Sequence, residues 1–254
     1  MKVVTLMENT SCRENVSFEH GLSLYIETEN SKILFDAGQS AAFAENAEKL
    51  GVDLKTVDFA VLSHGHYDHG GGLKAFLERN AAAPVYASQY AFEPHYGANG
   101  YIGLDLGLQN SDRIRYVSEY VTLGPGMTLC RIDVAPMDTA GLQVEEDGVR
   151  KPDDFRHEQY LLVEEAGKRI LISGCSHKGI LNIVDAFRPD ILIDGFHFMK
   201  IESEATLEAA AKKLLEYDTV YYTGHCTGQK QYDYLKTIMG EKLHYISAGT
   251  VLEL

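Results

Sequence analysis

Cysteine is scarce in this sequence: there are four among 254 residues, widely separated and without a CxxC pair (Cys12, Cys130, Cys175 and Cys226). Scattered thiols of this kind are typical of a reduced compartment, and a disulfide framework is not expected at this chain length. Long apolar runs are lacking too, since none approaches the roughly 18 residues that span a bilayer. The first residues also lack the apolar core and cleavage site of a signal peptide. We therefore expect a cytoplasmic protein with no membrane partner.

Positively charged residues are also few. The sequence has 23 Lys and Arg residues against 37 Asp and Glu residues, which gives a formal net charge of −14. Sequence-independent binding of nucleic acid depends on Lys and Arg neutralising phosphates, so we expect no nucleic-acid partner. A small anionic substrate is still compatible with this charge, because a bound metal ion can be the largest local charge in a site. The sequence leaves open whether the chain forms a homo-oligomer.

Apolar segments of strand length alternate with amphipathic helical segments, which predicts a mixed α/β fold in one domain over residues 1–254. The expected helices cover residues 39–50, 73–80, 178–187, 204–217 and 228–239. The expected strands are VVTL, LSLYIE, KILFDAG, VDFAVLS, APVYAS, YVTLGP, MTLCRID, QYLLVEEA, KRILISG, DILIDGF, TVYYTGH and HYISAG. Periodicity is weak over about 90–155, which predicts a flap or cap over a functional site.

The segment SHGHYDHGGGL at residues 63–73 directly follows the predicted strand VDFAVLS. His64 and His66 are two residues apart, so in extended backbone their side chains project the same way and can reach one metal ion. Asp68 and His69 follow on a turn that the glycines can bend sharply, and they can face a second ion. Imidazole suits zinc, iron, manganese or nickel, and a carboxylate adds charge. A histidine-rich surface loop is the alternative, but this density at a strand end favours metal binding.

The segment resembles the HxHxDH signature of the metallo-β-lactamase superfamily. Further segments in the same order strengthen the resemblance: EHGLSLYIE, ILFDAGQS, ISGCSHKGI, IDGFHF and YTGHCTG. Together they are most similar to the branch that includes the dihydropterin-6-methyl-ribofuranosylaminobenzene phosphate synthases and related metal-dependent hydrolases. The resemblance implies a four-layer αββα sandwich of two mixed β-sheets with two divalent metal ions at one rim. Zinc is the expected metal, with iron and manganese as alternatives.

The resemblance also implies one further histidine for each metal ion. His225, in VYYTGHCTG, fits the last of these positions, and His177 is favoured over His157 for the other. Cys175 stands where superfamily members usually have a bridging aspartate, so it is either a thiolate ligand or an inert buried cysteine. The predicted ligand set is His64, His66, Asp68, His69, His177 and His225.

Four residues outside the ligand set are expected near the site. Asp36, in ILFDAGQS, is expected to accept hydrogen bonds that fix the orientation of a ligand histidine, although an ordinary turn aspartate is the alternative. His20, His197 and Lys178 are candidate contacts for an anionic substrate, and the alternatives are a structural histidine and a surface lysine. Asp194 departs from the Gly-Gly-Phe-His pattern of the branch.

The resemblance implies a dinuclear hydrolase in which a metal-bound hydroxide, oriented by Asp68, attacks a small phosphoester or lactone. The alternative is a synthase that joins a dihydropterin diphosphate to a ribosylaminobenzene phosphate and releases diphosphate. A third hypothesis is a metal-binding sensor without catalytic activity. The substrate in either enzyme is a small molecule, expected to be anionic.

Overall fold

The computed structural model describes residues 1–136 and 141–254, which form two compact units. Unit 1 contains residues 1–119, 141–159 and 247–254, and unit 2 contains residues 120–136 and 160–246. The expectation of a single domain over the whole chain stays a prediction, and residues 137–140 of the predicted flap lie outside the described residues.

Unit 1 contains a seven-stranded mixed sheet with the strand order β18-β1-β2-β3-β4-β5-β8. Its strands, numbered along the chain, are β1 (Lys2–Met7), β2 (Ser23–Glu27), β3 (Lys32–Phe35), β4 (Phe59–Val61), β5 (Val85–Ser88), β8 (Ile114–Val117) and β18 (Val251–Glu253). β18, β1, β2 and β3 pair antiparallel, whereas β3, β4, β5 and β8 pair parallel. The parallel strands β3 and β4 are buried apart from Lys32, which is typical of strands covered on both faces.

The helices of unit 1 are α1 (Ala42–Lys49), the one-turn α2 (Tyr67–Gly70) and α3 (Leu73–Arg79). α1 buries Phe43, Ala44 and Ala47, three and four residues apart, so one apolar face enters the core. Phe43 and Phe76 belong to the same hydrophobic cluster as Leu34 of β3. The segment SHGHYDHGGGL therefore lies between a buried strand and a helix anchored in this core.

A four-stranded sheet completes unit 1, with the order β12-β11-β6-β7. Its strands are β6 (His95–Gly97), β7 (Gly100–Tyr101), β11 (Gln143–Glu146) and β12 (Val149–Pro152). All three pairings are antiparallel. These strands come from the segment predicted as a flap, and the sequence did not predict them because each is only two to four residues long.

Unit 2 contains a second seven-stranded mixed sheet, with the order β17-β16-β15-β14-β13-β10-β9. Its strands are β9 (Tyr120–Gly124), β10 (Met127–Cys130), β13 (Tyr160–Glu165), β14 (Lys168–Cys175), β15 (Ile191–Gly195), β16 (Val220–Thr223) and β17 (Leu243–Tyr245). β14, β15, β16 and β17 are parallel, so their carboxyl ends lie at one edge of the sheet. Ligand sites of open α/β sheets form outside such carboxyl ends.

The helices of unit 2 are α4 (Ile180–Phe187), α5 (Glu204–Leu214) and α6 (Gln229–Met239). α4 buries Ile180, Ile183, Val184 and Phe187, which share one helical face. It starts two residues later than predicted, because Gly179 has a φ of +91° that no helix residue adopts.

The mixed α/β class predicted from the sequence is confirmed, as are the strands named above for the first and last thirds of the chain. No helix among the described residues has the length and apolarity needed to cross a membrane.

Candidate metal centre

The residues of the HxHxDH segment come together in unit 1 directly after β4. The ring of His64 lies 4.6 Å from that of His66 and 4.1 Å from that of His69, measured between centroids. Asp68 and His69 belong to α2, and His66, in extended conformation, is the residue before that helix. All four side chains are buried, Asp68 most shallowly. The strand-turn-helix geometry therefore concentrates three imidazoles and one carboxylate, as the sequence predicted.

Asp36 stands at the end of β3, beside Ser63 at the end of the neighbouring parallel strand β4. Its Oδ1 accepts a hydrogen bond from the Ser63 amide (2.7 Å), and its Oδ2 accepts from the Ser63 hydroxyl (2.7 Å) and from His69 Nδ1 (2.6 Å). Asp36 has a φ of +58°, the left-handed region that is unfavourable for a residue with a Cβ. Such strain persists where surrounding contacts impose it, and it clusters at functional sites.

These hydrogen bonds define the proton positions on two imidazoles. The Ser63 hydroxyl carries a single proton, and because the Asp36 carboxylate only accepts, that proton is donated to Asp36. Ser63 Oγ must then accept from His64 Nδ1, which is 2.8 Å away. His64 and His69 are therefore both protonated on Nδ1 and carry their lone pair on Nε2. Histidines that bind metal commonly have this arrangement, with the second ring nitrogen donating to a carboxylate or another acceptor.

Asp68 is contacted by His20, which the sequence predicted as a substrate contact. His20 Nε2 lies 3.2 Å from Asp68 Oδ2, and the imidazole is about half exposed. The amide nitrogen of Asn9 lies 3.3 Å from His20 Nδ1, and an amide NH₂ can only donate. His20 Nε2 therefore carries the proton and donates it to Asp68. The structure places His20 as a polar neighbour of the acidic ligand.

A second buried network lies next to His66. Asp153 Oδ2 accepts from His95 Nδ1 (2.8 Å) and lies 3.3 Å from His157 Nε2. His157 Nδ1 accepts from the amide of Gly65 (2.9 Å), so the proton of His157 is on Nε2 and points at Asp153. Both ring nitrogens of His157 are thus used within unit 1. This arrangement supports a role for His157 in holding the loop, and the preference for His177 over His157 as a ligand stays a prediction.

The electrostatics of this network keep His66 and His157 neutral at pH 7. Burial lowers the pKa of His157 to about 4. Burial also lowers the pKa of His66 well below its usual range, and the neighbouring His157 and His95 lower it further. Burial alone would raise the pKa of Asp153, but His157 and His95 lower it overall. A neutral imidazole is the form that binds metal ions.

Backbone contacts fix the loop that carries the histidines. The backbone N–H of Gln159 donates to Ser63 O (2.8 Å), and the side-chain Nε2 of Gln159 donates to Leu62 O (2.7 Å). Only glycine fits at position 65, because a Cβ there would lie 2.2 Å from Ala91 O and 2.8 Å from His95 Nε2. The loop is therefore held from residues 153–159 on one side and from the segment 91–95 on another.

Unit 2 gathers a second set of candidate ligands at the carboxyl ends of its parallel strands. Cys175 ends β14, and the ligand atoms of Cys175, His177 and His197 lie within 4.8 Å of one another. The same holds for Cys175, His225 and Cys226. The rings of His177 and His197 are 4.4 Å apart. The predicted residues Cys175, His177, His197 and His225 therefore form one neighbourhood within unit 2.

The two buried thiols near this sheet edge differ from the thiol of Cys130. Burial opposes ionisation of Cys226, but its hydrogen bond with Cys175 and the adjacent His197 and His225 lower its pKa well below the usual range. Burial raises the pKa of Cys130 to about 11, with no such neighbours to offset it.

Lys178 is 7% exposed, and its Nζ donates to Val134 O at 2.9 Å. The alternative of an ordinary surface lysine is therefore wrong, and contact with an anionic substrate stays a prediction. Asp194 is buried and accepts from the Ser176 hydroxyl, which makes it part of the support of this sheet edge.

Sequence reasoning missed several residues of these two clusters: Ser63, His95, Asp153, Gln159 and Cys226. Ser63 could have been predicted as part of the site, since it directly precedes His64 at a strand end. His95 and Asp153 could not, because they are 58 positions apart in segments without periodicity. His244 stacks on Tyr222 and lies outside both clusters.

Comparisons with known proteins agree with this geometry. A curated protein of Methanocaldococcus jannaschii named 7,8-dihydropterin-6-methyl-4-(beta-D-ribofuranosyl)-aminobenzene-5'-phosphate synthase is 29% identical over all of this chain and 96% of its own length. An uncharacterised protein of the same organism is 31% identical over 89% of this chain and 90% of its own length.

A solved structure described as a metal-dependent hydrolase of the beta-lactamase superfamily superimposes with a TM-score of 0.85 at 30% identity, covering 100% of this chain and 99% of the other. The family described as the metallo-beta-lactamase superfamily matches residues 16–225. The resemblance and the fold predicted from the sequence are thereby confirmed. The chain belongs to the metallo-β-lactamase superfamily.

Proposed function

We propose that the protein is a metal-dependent hydrolase that acts on a small phosphoester or lactone. The observation that carries this proposal is the hydrogen-bond chain from Asp36 through Ser63 to His64, together with the direct bond from Asp36 to His69. It fixes the orientation of two neighbouring imidazoles, with Nδ1 of each turned to its support, beside the buried His66 and the carboxylate of Asp68.

The residues present fit a divalent metal ion. Three imidazoles and one carboxylate suit zinc, iron and manganese, and all four side chains are buried, which excludes competing solvent. His64, His66, Asp68 and His69 would hold metal in unit 1. The assignment of His177 and His225 as further ligands, and of two ions per chain, stays a prediction. When bound, such ions supply Lewis acidity and lower the pKa of water to about 7.

The surrounding side chains orient the site and hold its protons. Asp36 keeps Nδ1 of His69 protonated, and it does the same for His64 through Ser63. His20 donates to Oδ2 of Asp68, and this contact would fix the plane in which the carboxylate orients a water molecule or an ester group. Because the imidazole of His20 is about half exposed, it also offers a polar contact to an anionic substrate at the entrance.

The synthase reaction is the second candidate function. It is supported by the 29% identity, over the full length of this chain, to the Methanocaldococcus jannaschii synthase. In that reaction metal ions held by Asp68 and the three histidines would bind the departing diphosphate, and no water would attack. The two candidates therefore differ in the fate of water and in the release of diphosphate.

The test is a reaction survey in ¹⁸O-labelled water with metal-loaded protein. Hydrolysis transfers one ¹⁸O atom into the product, whereas the synthase reaction releases diphosphate and incorporates none. We expect incorporation, and we expect His66→Ala and Asp68→Ala to abolish turnover while His244→Ala, whose ring stacks on Tyr222, retains it. Diphosphate release without ¹⁸O incorporation would favour the synthase. Metal binding without turnover on any phosphoester, lactone or pterin diphosphate would contradict both enzymatic proposals.

A further inference from the structure

Two buried thiols in unit 2 meet the last histidine of the predicted ligand set. The Sγ atoms of Cys175 and Cys226 and a ring nitrogen of His225 lie within 4.8 Å of one another, and all three residues are buried. The Cys226 thiol also makes hydrogen bonds with Cys175 and His197. The proposed function uses neither thiol.

The backbone of unit 2 brings these atoms together. Cys175 ends β14 and pairs with Gly195 at the end of the parallel strand β15. A Cβ at position 195 would lie only 2.5 Å from Cys226 Sγ, so glycine is what lets this thiol approach the strand end. His225 has a φ of +49°, a left-handed conformation that is unfavourable for a residue with a Cβ. A strained ligand beside a glycine-made space is typical of a functional site.

An inert cysteine is the plain alternative, and the half-buried Cys130 serves for comparison. Cys130 lies within β10. Among the described residues, the one hydrogen-bond partner of its Sγ is a backbone carbonyl, Tyr160 O at 3.8 Å. Cys226 faces a second thiol and imidazoles instead. Two thiols and an imidazole that converge are the donor set of a thiophilic metal ion.

We propose that Cys175, Cys226 and His225 bind a thiophilic divalent ion, zinc being the natural occupant, through two thiolates and one imidazole. Binding would release the two thiol protons to solvent. With Zn–S bonds of about 2.3 Å, two sulfur atoms bound to a tetrahedral ion are about 3.8 Å apart. The ligand atoms here are at most 4.8 Å apart, so small side-chain shifts would bring them to that distance. Three protein ligands leave the fourth position open, which is the ligand count of catalytic zinc. The inference rests on the proposed function and gives one of its ions a sulfur-rich ligand set.

The experiment uses the full chain, purified under reducing conditions without chelator. X-ray absorption of the zinc-loaded protein should show about two sulfur atoms at about 2.3 Å on one ion. The Co²⁺-loaded protein should show thiolate-to-cobalt charge-transfer absorption in the near ultraviolet. Cys226→Ser and Cys175→Ser should each lose most of this absorption. Cys12→Ser, at an exposed site, and Cys130→Ser should keep it.

Each contrary outcome overturns the inference separately from the proposed function. Bound metal with no sulfur neighbour, in an enzyme that still turns over, would reject the thiolate site and leave the hydrolase intact. An undiminished charge-transfer band in Cys226→Ser would also reject it, as would a Cys175–Cys226 disulfide in the reduced, metal-loaded protein. If a serine variant fails to fold, the sulfur count of the unmodified protein decides. Loss of turnover in His66→Ala tests the proposed function alone.

Discussion

Asp36→Asn is the substitution that most sharply tests how unit 1 prepares its ligands. The carboxylate accepts from the Ser63 amide, the Ser63 hydroxyl and His69 Nδ1. An asparagine can keep its carbonyl oxygen on the amide of Ser63, but its NH₂ group then faces two groups that were donors. His69 can satisfy this NH₂ only by moving its proton to Nε2, and that removes the lone pair a metal ion needs.

The magnitude follows from that change of tautomer. Loss of a charge-assisted hydrogen bond costs about 1.5–3 kcal/mol, and loss of a partner that orients a metal ligand weakens metal binding about 10–100-fold. The two figures agree, since tenfold corresponds to about 1.4 kcal/mol. We therefore expect Asp36→Asn to weaken the tightest metal binding by about 10–100-fold.

The assay is competition for Zn²⁺ between the apo protein and a chelator of known affinity at fixed pH, with folding monitored by circular dichroism. Asp58→Asn is the matched control, because this exposed aspartate also accepts from one backbone amide, that of Lys32, in the same sheet. Affinity of Asp36→Asn within about twofold of the unmodified protein, or an equal loss in Asp58→Asn, would refute the account of the ligand tautomers.

Two further predictions concern the network beside His66. In the metal-free protein the unfolded chain protonates His157 near pH 6.5, whereas the folded pKa is about 4, so stability should fall as pH drops from about 6.5 to 4. This histidine accounts for about 3 kcal/mol of the lost free energy of unfolding. Urea titrations at pH 7 and pH 4.5 should show a smaller loss in His157→Asn than in the unmodified protein. An equal loss in both would show that other groups control acid stability. Gly65→Ala would place a Cβ 2.2 Å from a carbonyl oxygen, so we expect about 1–3 kcal/mol of destabilisation and weaker metal binding. Gly97→Ala, whose Cβ would have ordinary contacts of 3.4 Å or more, should leave the urea midpoint nearly unchanged, and equal effects of the two substitutions would contradict the close approach at Gly65.

The clustering of His64, His66, Asp68 and His69 was predictable because it depends on local backbone geometry. His64 and His66 follow a buried strand at a spacing of two, so their direction is set by extended backbone, and the glycines after His69 allow the turn. Asp36 was predictable in the same way, as the end of a neighbouring buried strand. The tautomers were not, because they depend on which atom of Ser63 faces which partner across two strands.

The support of the site could not be predicted, since it comes from distant segments. His95 begins a three-residue strand and Asp153 follows another short strand, so neither position shows a hydrophobic period. Their contact across 58 positions exists only once those strands pair. Cys226 was passed over because a cysteine after a predicted ligand looks the same in sequence whether its thiol packs among apolar groups or meets Cys175.

If this chain is a metal-dependent enzyme, as we propose, its turnover requires the buried residues His64, His66, Asp68 and His69. The most direct measurement is a metal titration of chelator-treated protein, in which bound metal and hydrolysis of a chromogenic phosphodiester are followed together. We expect no turnover without metal, turnover that rises with metal occupancy up to about two ions per chain, and no such rise in His66→Ala. Turnover of the metal-free protein, or full turnover of His66→Ala, would contradict the proposal.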